Sequence, residues 1–194
     1  MPARLFTSLQ DPALIELLKS GAVGILPTDT VYGLVAPALH ASSVERLYSL
    51  KQRERQPGTT IASSTEQLQA VGFQSDDLRR ADRYWPNAIS VEMTATDIPM
   101  YLKKGQDHMA ARIPSDTVLV ELLEKTGPLM TSSANTPKLP TSRTIGEAMN
   151  YFGDEIDFYV DAGDLGERPP STIIGFDVQG SVVVYRQGAV DVAA

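Results

Sequence analysis

Apolar positions in this chain fall into short runs whose period switches repeatedly between helix-like and strand-like. Leu14, Ile15, Leu17 and Leu18 form a helical stripe, opened by Asp11 as N-cap with Pro12 in the first turn and stopped by Gly21. Ala22 to Leu26 is a continuous apolar run that predicts a buried strand. A second helix is expected over 43–50, with Val44, Leu47 and Leu50 turned inward. Ser64 with Gln67, and Thr144 with Glu147, match the reciprocal capping pattern that opens a helix. Ser75 to Trp85 predicts a helix stopped by Pro86, and another runs through Val118, Leu119, Leu122 and Leu123 to Gly127.

Ile89 to Ala95 alternates, with Ile89, Val91 and Met93 on one face and Ser90, Glu92 and Thr94 on the other. Met109–Ile113, Pro128–Thr131, Ile156–Val160, Thr172–Phe176 and Val182–Tyr185 complete the expected strands, the last two as a hairpin. Helices and strands interleave without an internal repeat, a low-complexity segment or a dividing linker. The expectation is one domain over 1–194, of α/β (α+β) class, built on a mixed sheet.

Composition narrows the function classes. With 194 residues, 42% of them apolar, the chain can bury a full core. A net charge of −7 argues against global attraction to nucleic acid or anionic lipid, while leaving room for a local basic patch. The absence of cysteine removes thiolate metal sites and cysteine nucleophiles. No run is long and apolar enough to span a bilayer and the N-terminus lacks a signal-type pattern, so a soluble cytoplasmic protein is expected.

Three polar islands sit where expected elements give way to loops: Pro27 to Gly33, Lys51-Gln52-Arg53, and Thr131 to Asn135. Lys51 and Arg53 lie two residues apart past a helix end, where both could face one anion. The ordinary alternative is a basic helix terminus complementing the dipole, worth ~0.3–1 kcal/mol. The first island offers Thr28, Thr30 and a glycine for close backbone approach, or simply a turn with Tyr32 in the core. Hydroxyls and N–H groups of the third could hold phosphate or carboxylate, or form a serine-rich turn. Arg112 lies on an otherwise apolar strand, and a buried guanidinium needs an anion, either an internal Asp or Glu or a substrate carboxylate. Arg186 poses the same question. There is no GxxxxGK[ST] loop, GxGxxG, HExxH or GxSxG, and His40 and His108 are the only histidines.

The order PTDTVYGL, KQR, RIP, TSSAN, STII, RQGAV, from about Gly21 to Val190, resembles the YrdC/Sua5 family of threonylcarbamoyl-AMP synthases, in its short single-domain branch. The resemblance implies a twisted mixed sheet flanked by helices around a deep concave groove. It implies formation of L-threonylcarbamoyl-AMP and pyrophosphate from L-threonine, bicarbonate and ATP, the first step toward N6-threonylcarbamoyladenosine in tRNA. Thr30, Arg112, Thr131 and Ser171 would contact threonine. Lys51, Arg53, Ser133, Asn135, Thr141 and Arg186 would line the ATP side. Lys51 and Arg53 would stabilise the phosphates and the leaving pyrophosphate together with Mg2+, with no metal held by protein ligands. The implied partners are proteins that transfer the threonylcarbamoyl group onward, with weak tRNA contact and no membrane.

The chain departs from the family pattern in three places. Glu54 to Thr60 replaces a proline followed by an apolar pair, Trp85 to Ser90 reads WPNAIS for WPGPLT, and Pro137 and Lys138 stand where serine and glycine are expected. These changes touch the ATP side more than the threonine side. They define the alternative reading, a divergent paralogue without synthase activity that binds RNA or nucleotide.

Overall fold

The computed structural model describes residues 2–52 and 56–192. Its first half runs β1 (Arg4–Phe6), α1 (Pro12–Lys19), β2 (Gly24–Pro27), β3 (Tyr32–Pro37), α2 (Ala41–Leu50), β4 (Thr59–Ile61), α3 (Thr65–Val71), α4 (Ser75–Ala81) and β5 (Ile89–Thr94). The second half runs α5 (Met100–Lys103), β6 (His108–Arg112), α6 (Thr117–Thr126), β7 (Leu129–Ser133), α7 (Ile145–Phe152), β8 (Phe158–Val160), β9 (Thr172–Phe176) and β10 (Val182–Arg186). The ten strands form one sheet, ordered β1-β8-β2-β3-β7-β4-β6-β5-β9-β10. Parallel pairs (β4 with β6, β5 with β9) mix with antiparallel ones (β2–β3, β3–β7, β5–β6, β9–β10), as the interleaved pattern predicts.

Period-two alternation sorts the strands onto two unequal faces. Ile25, Leu34, Met130, Met109, Ala111, Val91 and Ile174 point to the face covered by buried side chains of α2, α3, α4, α5 and α7. Leu26, Val35, Leu129 and Ile61 point to the other, where only α1 and α6 pack, through Leu14, Ile15, Leu18, Leu119, Leu122 and Leu123. Two helices cannot cover a ten-stranded sheet. The bare remainder of that face is where the chain places residues of the first and third polar islands.

The capping residues act as the sequence predicts, with one refinement. Asp11 accepts from the Ala13 N–H at 2.8 Å, Ser64 from Gln67 and Thr144 from Glu147. The return bonds of Gln67 and Glu147 go to the N–H groups of Ser63 and Arg143, one residue before each cap. Other expectations need correction. The predicted helix over 75–85 is α4 followed by a 3-10 turn at Asp82–Tyr84, Val118 is exposed at the start of α6, and Leu50 is only half-buried. Strands β1, β3 and β4 were not foreseen. β1 and β4 are three residues each and β3 carries Gly33 and Pro37, so none shows a readable alternation.

Gly58 marks where β4 meets β7. A Cβ there would lie 2.4 Å from the Thr131 carbonyl oxygen and 2.7 Å from the Met130 sulfur, and backbone cannot yield as a side-chain tip can. Gly58→Ala is expected to destabilise by about 1–3 kcal/mol, lowering Tm by several degrees, through forced separation of the two strands. In Gly146→Ala the new methyl meets nothing nearer than 3.8 Å, so thermal unfolding of the pair should show a loss at 58 alone.

Candidate active site

Beyond the cover of α1 and α6, the same sheet face carries small or polar side chains. Gly33, Thr131, Thr59, Ala110 and Ile173 form the floor of a cleft of about 670 Å³. Along each strand, one step of two residues separates floor from core: Thr131 from Leu129, Thr59 from Ile61, Gly33 from Val35. The cleft thus exists because bulky aliphatics stop where the helices stop.

Its deep end is an ion pair. Arg112 closes β6 and donates from Nη2 to Asp29 Oδ1 at 2.8 Å, the two side chains being 4% and 1% exposed. Asp29 comes from the turn between β2 and β3, pinned by Thr28, whose Oγ1 donates to the Val31 carbonyl at 2.7 Å and accepts from the Thr30 N–H. Burial disfavours charge on both partners, raising the Asp29 carboxyl above its ordinary pKa and lowering Arg112, while each partner's charge opposes the other's shift. Asp29 Oδ2 and Arg112 Nε are buried here without a hydrogen-bond partner among the described residues. Uncompensated polar atoms of this kind are costly, and their clustering at one end of a polar cleft marks a place built for a ligand.

One wall is the third island. Lys51 is the C-cap of α2, only 2% exposed, and its Nζ donates to the Ser133 carbonyl at 2.8 Å, the Asn135 carbonyl at 2.5 Å and Asn135 Oδ1 at 2.8 Å. Ser133 Oγ donates to the same Oδ1 at 2.6 Å. These contacts fasten the ammonium to the strand-end loop. Arg53 lies outside the described residues. The opposite wall is Ser171, bonded to Ser90 at 2.9 Å, with Arg186 donating from Nε and Nη2 to the Ser171 carbonyl.

Of the ten residues that the sequence singles out, Thr30, Arg112, Thr131, Ser171, Ser133, Thr141 and Arg186 line this one cleft. Lys51 and Asn135 support it from beneath. Sequence reasoning assigns no role to Asp29, although it lies inside the first island, or to Glu92, which it places only on the polar face of an alternating strand. That side is the cleft. Thr59 and Ser132 were likewise unassigned.

Residues 16–188 match the Sua5, YciO and YrdC family model, which carries the description "Telomere recombination". A putative threonylcarbamoyl-AMP synthase of Mycobacterium tuberculosis is 33% identical over 181 residues, covering 91% of this chain and 82% of that protein. The threonylcarbamoyl-AMP synthase of Pseudoalteromonas translucida is 36% identical over 171 residues, covering 83% and 90%. Among solved structures, P. abyssi Sua5 complexed with L-threonine superposes with a TM-score of 0.82 at 24% identity, over 95% of this chain. This chain spans 57% of that Sua5 chain.

Proposed function

The chain belongs to the Sua5/YciO/YrdC family, and from that membership we propose that it is an L-threonylcarbamoyladenylate synthase, a nucleotidyltransferase joining L-threonine, bicarbonate and ATP. The observation that carries the reading is the buried Asp29–Arg112 pair with its unpartnered polar atoms, at the closed end of a cleft lined with hydroxyls. Such an end suits a small polar amino acid, and the open end suits a nucleotide. The names of the curated relatives do not favour the alternative of a paralogue without synthase activity.

The chemistry asks for alignment more than for a nucleophile from the protein. The threonine amine adds to bicarbonate, losing water, to give a carbamate, whose oxygen attacks the α-phosphorus of ATP as the bond to pyrophosphate breaks. Both reactants are anionic, so fixed donors must hold them together. Thr30, Arg112, Thr131 and Ser171 would bind threonine at the closed end. Ser133, Thr141 and Arg186, with Arg53, would take the nucleotide, Ser133 standing at the strand end to which Lys51 and Asn135 bond. Among the described residues no group of three or more His, Cys, Asp or Glu side chains could hold a metal ion. Mg2+ would enter with ATP, bound to its phosphates. No helix among the described residues is long and apolar enough to cross a membrane. The proposal places the enzyme in the cytoplasm, handing its product to a threonylcarbamoyl-transfer protein, with any tRNA contact weak.

Pyrophosphate release, with mass detection of the adenylate, tests the reading. Turnover should require ATP, threonine and bicarbonate together. Release that continues without threonine, or no release when all three are present, would sink it.

A further inference from the structure

Glu92 is a cleft residue that the proposed chemistry does not use. Its carboxylate is half-buried on the floor of a site for two anionic reactants, and it makes no hydrogen bond or ion pair among the described residues. A carboxylate that lines the cleft and bonds to no neighbour has both oxygens available to a cationic group of a ligand.

The sheet register says which cation. Glu92 lies directly opposite Ala110, and Arg112 follows two residues later on the same face of β6. Diagonal neighbours of this kind stand about 7–8 Å apart, somewhat less at Cβ. Across the floor, Ala110 faces Thr59 and Thr59 faces Thr131, so Glu92 ends the row Thr131–Thr59–Ala110. Arg112 is one step deeper, beside Ile61 and Leu129, where α1 and α6 close the face. Ser133 is one step shallower, on the nucleotide side. An α-amino acid whose carboxylate takes the remaining donors of Arg112 would lie along β6 with its amino group pointing outward, toward Glu92. That orientation also presents the amine to the nucleotide, as carbamate transfer to an α-phosphorus requires. Asp29, the other carboxylate at this end, gives Oδ1 to Arg112 and keeps one oxygen unpaired, whereas Glu92 has both.

We propose that Glu92 binds the α-ammonium of the substrate, so that Arg112 and Glu92 together select an α-amino acid over an otherwise matching acid without the amine. The inference rests on threonine being the substrate. It makes Glu92 a binding residue and predicts discrimination that hydroxyls alone would not supply.

Calorimetry with L-threonine and with 3-hydroxybutanoate, which keeps the carboxylate, hydroxyl and methyl but lacks the amine, tests it in wild type and Glu92→Gln. Threonine affinity should fall at least tenfold in the variant, while 3-hydroxybutanoate and ATP change less than twofold and the unfolding temperature holds. Equal threonine affinity in both proteins overturns the inference. So does parallel weakening of threonine and 3-hydroxybutanoate, which would mean a damaged pocket, and so does weakening of ATP alone, which would make Glu92 a nucleotide-side group. Wild-type protein that binds no threonine would fail the functional reading itself, and the inference with it.

Discussion

Arg112→Ala is expected to cost the fold about 3–5 kcal/mol and to abolish threonine-dependent turnover. Removing one member of a buried pair leaves the other as an uncompensated charge, and Asp29 is 1% exposed with no second cation bonded to it among the described residues. The sign of the pH effect follows from the Asp29 shift. Burial raises its pKa and Arg112 lowers it, with burial the larger influence. A carboxyl raised in the fold takes up its proton at higher pH than in the unfolded chain, so this group adds stability as pH falls toward its ordinary value near 4 and withdraws it as pH rises. Deleting Arg112 removes the opposing influence and raises Asp29 further, so the variant should gain more from acid than the wild type. Denaturant unfolding from pH 8 to 5 should show the stability gap narrowing as pH falls. A gap independent of pH would mean that Asp29 does not govern the loss. Replacing the pair by Asp29→Leu with Arg112→Met should recover much of the stability and none of the activity, separating the structural role of the pair from its role toward substrate.

The same pair shows what a single sequence can and cannot reveal. Arg112 stood out because an arginine among Met109, Ala110, Ala111 and Ile113 must be buried and must be answered by an anion. Which anion depended on a contact across 83 residues, and nothing local to Asp29 distinguishes it from a turn aspartate. Glu92 illustrates a second limit. Alternation in β5 separates a core face from a polar face, but that polar face meets water on some sheets and a ligand on others. The answer lies in how many helices cover the sheet, and here only α1 and α6 reach that side. Helix caps, by contrast, depend on groups within four residues of one another, so Asp11, Ser64 and Thr144 were readable without the fold. The three islands were visible as polar breaks in apolar pattern, and the β2–β3 hairpin with β7 between β3 and β4 is what joins two of them.

Lys51 carries the second large expectation, because it distinguishes two ways in which a cation can serve a phosphate site. A lysine that touches phosphate directly would, on replacement, depress catalysis and leave the fold intact. The Lys51 found here is 2% exposed and spends three donor contacts on Ser133 and Asn135. Lys51→Met keeps most of the stem and removes the ammonium, leaving two backbone carbonyls and an amide oxygen short of a donor. Hydrogen bonds to a charged group contribute about 1.5–3 kcal/mol each and are not additive, so a loss of about 2–5 kcal/mol is expected. The Ser133–Asn135 loop would loosen with it, and Thr131, two residues back on β7, belongs to the threonine end. KM for ATP and KM for threonine should therefore rise together with the fall in stability. Lys51→Arg should not restore either, since a planar guanidinium cannot converge on three acceptors from one point as an ammonium does. If the methionine variant kept wild-type stability and lost only kcat, Lys51 would have to leave its carbonyl partners for the phosphates during turnover. The anchoring role argued from the static contacts would then be wrong.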